Sequence, residues 1–166
     1  MSILKFETRT PRTLRGMYNY LLDPTKTTEE GIFTIGCNPR FVVEEFEFVQ
    51  KVYLREQITH PYLQVIFSFD KNMTLPLYVI KEISMKIGQV LIVDRRQVFA
   101  AIHYLGKAAQ KIHCHYMINY ISVDGELYSQ TYSLRKYKNA VNAIVVPYGL
   151  QPIEMFEVEG YVQNLE

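Results

Sequence analysis

The segment His113–Asn119 constrains what this chain can fold into more than any other stretch, because it combines a strand-like pattern with two closely spaced histidines. Successive side chains of a β-strand point to opposite faces of the sheet. Both histidines and Asn119 would then share one face, and Cys114 would face a core. Two imidazoles that project in parallel from a strand can bind one divalent cation together. The alternative is a strand whose histidines simply face solvent.

Composition is that of an ordinary folded protein. The chain has 166 residues, of which 48% are hydrophobic and 21% charged, so we expect one domain over residues 1–166 with a buried core. Thirteen tyrosines and nine phenylalanines favour a large β-sheet content. A net charge of +1 gives no overall electrostatic signature for nucleic acid or anionic membranes. Any DNA binding must therefore depend on local patches.

Cysteine usage and the N-terminal segment indicate a cytoplasmic protein. Cys37 and Cys114 lie far apart and neither belongs to a metal-type pair, which predicts free thiols in a reducing compartment. The first residues carry several charges and do not resemble a signal peptide. No apolar stretch approaches the roughly 20 residues of a membrane-spanning helix, so we expect no membrane partner.

Four stretches show the periodicity of amphipathic helices, and a capping residue or a proline marks each start. The predicted starts are Thr10–Pro11, Asn38–Pro39, Pro76 and Ser133. In the first helix Tyr18 lies on the apolar stripe, whereas Tyr20 lies off it near the C-terminal end. Residues 23–31 show no periodic pattern and are predicted to be a loop.

Strand patterns alternate with these helices. Tyr62–Phe69 is almost entirely apolar and is predicted to be a central strand. Gln97–Tyr104 is predicted to pair with the His113 strand as an antiparallel hairpin. The turn at Asp124–Gly125 should lead to a short strand over Leu127–Thr131. A further strand, at the edge of the sheet, is predicted over Met155–Val162. The predicted fold class is α+β, an antiparallel central sheet with helices packed mainly on one face.

Three of the four histidines converge on the predicted hairpin, which would place His103 beside His113 and His115. Three neutral imidazoles leave a divalent cation with open coordination positions, which is typical of a catalytic site rather than a structural one. Cys114 would point to the other face and could not complete a structural site. His60 has two open interpretations, a residue near the site or a hydrogen-bonded structural residue.

At these residues the chain resembles the relaxases, the mobilisation nucleases of conjugative plasmids and integrative elements, in the branch with a single N-terminal tyrosine. The His-x-His-x-x-x-Asn run that ends at Asn119 is similar to the family's third motif, and a histidine lies on the preceding strand. Other segments are similar to the family's motifs and occur in the same order along the chain. These are Tyr20–Thr27, Cys37–Asn38, the strand from His60 through Ser68–Phe69, and Asp124–Gly125. The resemblance covers residues from about 10 to 150. One departure is Leu105, where the family usually has an aspartate.

The resemblance implies a relaxase-like fold, the palm of HUH endonucleases, and a metal-dependent endonuclease and strand transferase that acts on single-stranded DNA. Tyr20 would attack a phosphodiester at a transfer origin, form a 5′-phosphotyrosine link and free a 3′-hydroxyl. The implied partners are single-stranded DNA at that origin and accessory mobilisation proteins.

The resemblance also assigns the supporting residues. The implied metal ligands are His103, His113 and His115, which would hold Mg²⁺ or Mn²⁺, with Zn²⁺ as the alternative. Asn119 would orient a metal ligand or the phosphate, or else make ordinary hydrogen bonds in the strand. Lys26 and Tyr18 would contact DNA, and Tyr18 is also the rival nucleophile to Tyr20. The alternative interpretations are a solvated loop charge for Lys26 and a core residue for Tyr18.

Two other functions remain open. The first is a non-catalytic single-strand DNA-binding remnant of this fold, which would use exposed tyrosines to stack bases. The second is a rolling-circle replication initiator, which performs the same chemistry with a tyrosine located after the His-x-His strand. Tyr132 and Tyr137 occupy that part of the chain and are the alternative nucleophiles.

Overall fold

The computed structural model describes residues 1–7, 12–53, 60–92, 94–128, 134–153, 155–158 and 161–164. Its strands are β1 (Ile3–Glu7), β2 (Ile32–Ile35), β3 (Tyr62–Ser68), β4 (Val98–His103), β5 (His113–Asn119), β6 (Met155–Val158) and β7 (Tyr161–Asn164). Its helices are α1 (Leu14–Leu21), α2 (Val42–Val52), α3 (Leu77–Leu91) and α4 (Leu134–Val145). Short 3-10 turns cover Glu29–Gly31, Gly106–Gln110 and Val146–Tyr148.

One sheet holds all seven of these strands, in the order β2-β4-β5-β3-β1-β6-β7. The five strands from β2 to β1 pair antiparallel, β6 joins β1 in parallel, and β7 joins β6 antiparallel. The predicted hairpin of β4 and β5 is confirmed, with His103 opposite His113. β5 therefore lies between β4 and β3, and Ser68 of β3 flanks His113 on the other side.

Helices cover both faces of the sheet. α3 places Ile80, Ile83 and Ile87 on one side at helical spacing, and with α4 it buries the sheet face that carries Cys114 and Tyr116. α1 and α2 pack on the opposite face. The α+β class with an antiparallel central sheet is confirmed. The two longer helices share one face, while the two shorter helices add a second, smaller core that the sequence did not indicate.

Three of the four predicted helix starts differ from the structure or cannot be compared with it. Thr10–Pro11 and Ser133 lie outside the described residues. α1 begins at Leu14, because the Thr13 hydroxyl caps it by accepting a hydrogen bond from Gly16 N at 3.0 Å. The predicted start of α2 at Asn38–Pro39 is wrong by three residues. The Asn38 side chain accepts a hydrogen bond from Arg40 N at 2.9 Å, which forms a local turn before the helix.

The structure describes only the first two residues of the predicted strand over Leu127–Thr131, since residues 129–131 lie outside the described residues. In that part, Leu127 forms an isolated bridge with Ile121 and no longer strand. The turn before it is confirmed, since Gly125 has a φ of +89° and donates to Ser122 O at 2.9 Å. The described parts of the predicted edge strand Met155–Val162 fall into two strands, β6 and β7, with residues 159–160 outside the described residues. Within the described ranges, no helix has the length and hydropathy needed to cross a membrane.

Candidate active site

Three histidines meet at one end of the β4–β5 hairpin. His103 lies directly across from His113, and His115 follows two residues later on the same face of the sheet. The ring centroid of His103 lies 5.4 Å from that of His113 and 4.6 Å from that of His115. The centroids of His113 and His115 are 4.9 Å apart. One nitrogen from each ring lies within 4.8 Å of the others, a spacing suited to a single cation.

Backbone carbonyls fix which nitrogen carries the proton in two of the rings. His113 Nδ1 lies 2.9 Å from Lys111 O, and His103 Nε2 lies 3.1 Å from Leu21 O. A carbonyl can only accept, so both of these ring nitrogens donate. His113 Nε2 and His103 Nδ1 are thus left with lone pairs that can bind a cation.

The third ring contacts a buried glutamine. The Gln64 amide nitrogen lies 3.0 Å from His115 Nδ1. His115 can bind a cation through Nε2 only if Nδ1 carries the proton. The Gln64 amide must then present its oxygen, which a half-turn of the side-chain amide achieves. With that orientation, a partner atom outside the metal shell braces each of the three rings.

Two nitrogens of the cluster are buried without a hydrogen-bond partner in the described part of the chain. They are His103 Nδ1 and His115 Nε2. A buried polar atom without a partner costs about 1–3 kcal/mol, so such atoms are rare unless something else satisfies them. Both atoms converge on one point, and three imidazole nitrogens are a suitable donor set for a divalent cation. The residues present therefore fit a bound metal.

Burial also keeps the three rings neutral. It lowers the pKa of His103 to about 4, and it lowers the pKa of His113 as well. The pKa of His115 lies well below its usual range because of burial, with a further contribution from the charges of the other two rings. A histidine must be neutral to bind a metal. At neutral pH the cluster is therefore ready to do so.

Leu105 stands where an aspartate was expected, and its side chain makes no hydrogen bond to the histidine rings. Its backbone N–H donates to Lys26 O at 3.0 Å. The Leu21 carbonyl, at the last residue of α1, instead accepts from His103 and holds its ring. A backbone group thus supplies the contact that a carboxylate would otherwise make.

Tyr20 lies beside the histidines. α1 buries Leu14, Met17 and Leu21 against the sheet, which leaves Tyr20 half-buried at the side of the helix. Its ring centroid is 5.8 Å from that of His103 and 5.7 Å from that of His115, both in edge-on contact.

Two cations flank the same tyrosine ring. The Arg12 guanidinium carbon lies 4.2 Å and Lys26 Nζ 4.3 Å from the Tyr20 ring centroid. The site opens into a cavity of about 640 Å³ whose lining residues are Tyr20, Thr25, Lys26, His103, Gly106, Lys107, Ala108, Lys111 and His113. The tyrosine, two of the histidines and three lysines thus face the same space.

Tyr18 points away from this cavity. Residues two positions apart on a helix project in nearly opposite directions. The Tyr18 ring packs 4.9 Å from that of Phe99, and its hydroxyl donates to Pro39 O at 3.1 Å. It lines a second cavity of about 430 Å³ together with Glu29 and Arg40. Lys26, in contrast, faces the cavity of Tyr20.

Asn119 lies at the other end of β5, about 13 Å from His115. It is fully buried, where its side chain accepts from Gln50 at 3.0 Å and donates to Gln97 at 2.9 Å. The structure does not bring it near the histidines and agrees with the alternative of ordinary hydrogen bonds. His60 lies at this same end, because it precedes Tyr62, which pairs with Asn119, and its ring contacts Tyr120.

Of the two alternative nucleophiles, the structure describes Tyr137, and Tyr137 does not lie at this site. Tyr137 is buried in the core of the opposite sheet face, with its ring 5.5 Å from that of Phe6. Tyr132 lies outside the described residues. Among the candidate tyrosines that the structure describes, Tyr20 is the one in contact with the histidine cluster.

Sequence reasoning missed Gln64, Arg12, Lys107 and Lys111. Gln64 had a signal, because it is a single amide in an otherwise apolar central strand, and a buried amide needs a partner. The two lysines stand four residues apart in the β4–β5 connection, but only its folded path brings them to the cavity.

Comparison with known proteins gives one family. The family model described as “Relaxase: MobA/VirD2-like, nuclease domain” matches residues 20–150. A solved structure described as “Molecular Basis of Vancomycin Resistance Transfer in Staphylococcus aureus” aligns with 78% of this chain and 74% of that chain, at 13% identity and a TM-score of 0.46. A similarity of that size supports no conclusion about function. No curated protein sequence matches the chain.

Proposed function

The chain belongs to the MobA/VirD2-like relaxase nuclease family, and on that premise we propose that it is a metal-dependent endonuclease and strand transferase that nicks single-stranded DNA at a transfer origin. Residues 1–166 act as a single nuclease domain, in the cytoplasm. The partners are the origin strand and accessory mobilisation proteins of a plasmid or integrative element.

Tyr20 is the nucleophile in this proposal. Its phenolic oxygen forms a bond to phosphorus at the scissile phosphodiester, and the bond from phosphorus to the 3′ oxygen breaks. The phenol gives up its proton and the departing 3′ oxygen takes one up. The products are a 5′-phosphotyrosine link and a free 3′-hydroxyl. Because the phosphotyrosine conserves the energy of the broken bond, a 3′-hydroxyl can later reverse the step and rejoin the strand.

The contact of Tyr20 with two neutral histidines of the cluster carries this proposal. A tyrosine hydroxyl is a weak nucleophile unless positive charge stabilises the developing phenolate. Arg12 and Lys26 supply fixed charge against the Tyr20 ring. They also attract the phosphodiester to the place where the tyrosine meets it.

His103, His113 and His115 hold the metal, for which we propose Mg²⁺ or Mn²⁺, with Zn²⁺ as the alternative. Two observations support this assignment: two buried ring nitrogens have no partner among the described residues, and burial lowers the pKa of all three rings. When bound, the cation supplies Lewis-acid polarisation of the phosphate oxygens. The Leu21 and Lys111 carbonyls and the Gln64 amide keep the ring nitrogens aimed at it.

A covalent trapping experiment tests the proposal. Labelled single-stranded oligonucleotides from candidate transfer origins are incubated with the protein and Mn²⁺ or Mg²⁺, and a denaturing gel and peptide mass mapping follow. The expected result is an adduct on Tyr20 that disappears with a chelator and in the Tyr20→Phe variant. An adduct on Tyr132 or Tyr137 would replace the relaxase with a replication initiator. Binding without an adduct at every origin would leave a DNA-binding remnant.

A further inference from the structure

The connection between β4 and β5 contributes to the cavity of Tyr20, and its side chains have no role in the chemistry proposed above, in which only the Lys111 carbonyl takes part. It covers residues 104–112 and contains the 3-10 turn Gly106–Gln110. Its two lysines, Lys107 and Lys111, both line the cavity that Tyr20 and His113 line. The connection thus forms one wall of the site.

This wall is fixed in place. The backbone N–H groups of Tyr104 and Leu105 both donate to Lys26 O, at 2.9 Å and 3.0 Å. Gly106 has a φ of +57°, and a Cβ at this position would lie 3.0 Å from Thr25 O, so the two loops approach closely only with glycine there. The positions of the lysines relative to Tyr20 therefore follow from backbone contacts rather than from a free loop.

The wall is also positively charged. Lys26, the third lysine of the cavity, forms an ion pair with Asp23 at 3.3 Å. In the described part of the chain, neither Lys107 nor Lys111 forms an ion pair. Lys111 is near enough to Asp70 to help lower the pKa of that carboxylate, but Asp70 pairs with the N-terminal amino group. Among the described residues that line the cavity, none has a carboxylate. The chain has a net charge of only +1, so these unpaired charges mark a local anion site.

The second cavity provides a contrast. It is lined by Glu29 and Arg40, whose charges balance, and by apolar side chains. A polyanion is thus attracted to the cavity of Tyr20 and not to that of Tyr18. The four-residue spacing of Lys107 and Lys111 allows each to meet a different phosphate.

We propose that Lys107 and Lys111 form a phosphate-binding wall, the lysine wall, that holds two phosphates of the single strand next to the phosphate that Tyr20 attacks. This inference rests on the proposed function. The contact is ionic and independent of base identity, so it fixes the path of the strand and not its sequence.

Salt dependence of binding tests the lysine wall. An oligothymidine of about 20 nucleotides is titrated with protein at several salt concentrations in the presence of a chelator. Each phosphate contact on a single strand contributes about 0.7 to the slope of log K against log salt. Lys107→Ala/Lys111→Ala should therefore lower the slope by about 1.4, which is roughly 25-fold weaker binding at about 0.1 M salt if affinities converge near 1 M.

A matched control separates the wall from overall charge. Lys51→Ala/Lys81→Ala removes the same net charge from α2 and α3, at lysines that do not line the Tyr20 cavity. It should keep the slope of the wild type. Equal slopes for the two double variants would overturn the inference, provided that thermal unfolding shows both to be folded.

The trapping experiment distinguishes failure of the wall from failure of the proposed function. A Tyr20 adduct together with an unchanged slope in Lys107→Ala/Lys111→Ala rejects the lysine wall and leaves the nuclease intact. A slope that depends on the two lysines, with no adduct at any candidate origin, keeps the wall and rejects nicking. Absence of any binding by the wild-type protein rejects both.

Discussion

The two ends of β5 carry polar side chains on the same face of the same strand, yet they differ in how those side chains are satisfied. At the Asn119 end, the buried Asn119 amide accepts from Gln50 Nε2 and donates to Gln97 Oε1, so both ends of the Asn119 amide are paired. At the other end, His103 and His115 each bury a nitrogen that has no partner among the described residues, next to an open cavity.

This difference separates structure from function better than the residue types do. A buried amide such as that of Asn119, whose oxygen and nitrogen both have partners, stabilises one arrangement of the chain. His60 Nδ1, at the Asn119 end, is also buried without a partner among the described residues, but it belongs to no cluster of ligand atoms. At the histidine end one nitrogen from each of three rings lies within 4.8 Å of the others, so a single cation can satisfy them together. The run from His113 to Asn119 looks like one motif in the sequence, but its two ends differ in the partners of their polar side chains.

The largest effect is expected at the histidine end. His113→Ala should slow formation of the Tyr20 adduct by about 1000-fold, because loss of a ligand weakens a cation that contributes several kcal/mol to the transition state. The half-buried position of His113 makes the cost in stability small by comparison. Rates come from single-turnover gels and stability from thermal unfolding.

His60→Ala is the matched control, since it removes a histidine from the Asn119 end. Its adduct rate should stay within a few-fold of that of the wild type. Equal losses of rate in the two histidine variants would contradict the division of β5 into a functional and a structural end.

The reciprocal change is Asn119→Ala. It removes the donor to Gln97 and the acceptor for Ile121 N, and it leaves both groups buried. The free energy of unfolding should fall by about 3 kcal/mol, while the adduct rate per folded molecule changes little. Urea unfolding measures the first quantity and the trapping gel the second. The control is Asn72→Ala, at an exposed asparagine, which should leave both quantities unchanged. A large loss of adduct rate in Asn119→Ala without loss of stability would show that Asn119 takes part in the chemistry.

Much of the site follows from local sequence rules. Alternation along a strand predicts that His113 and His115 share a face, and the short connection predicts the hairpin that brings His103 across from them. The apolar stripe of α1 predicts that Tyr20 lies off the buried side of the helix. These features could be predicted because each depends on a period of two or of 3.6 residues.

Other features had no such signal. A backbone carbonyl has no signature in sequence, so the Leu21 contact that replaces an aspartate at Leu105 could not be predicted. The start of α2 was misplaced because Asn38 can either cap a helix or close a turn, and the sequence does not decide between the two. β1 and β2 are only five and four residues long, and their places in the sheet depend on partners distant in the chain.

An intermediate effect is expected for the residue that braces His115. Gln64→Leu removes the amide oxygen that accepts from Nδ1 when Nε2 binds the cation. Affinity for Mn²⁺ should fall about 10- to 100-fold, the usual loss for a partner of a metal ligand. Gln64→Glu offers only oxygens and should retain the affinity. A titration with Mn²⁺ detected by spin resonance measures both, and equal affinities for Gln64→Leu and the wild type would show that the amide does not act as an acceptor.

The last effect concerns acid sensitivity of the metal-free protein, and per pH unit it is the smallest. Burial lowers the pKa of His103 from 6.5 to about 4, so the unfolded chain binds more protons than the folded chain between these values. Stability is therefore complete above about pH 6.5 and falls as the pH drops toward 4, with a slope of at most about 1.4 kcal/mol per pH unit for each histidine. Urea unfolding at pH values above those at which carboxylates titrate should show that His103→Gln reduces this slope.

Asn119→Ala is the comparison. It should lower the free energy of unfolding by the same amount at every pH, because the substitution removes no titrating group. A wild-type slope in His103→Gln would mean that the histidine end is not the source of the acid sensitivity, and that the two ends of the strand differ only in their hydrogen bonds.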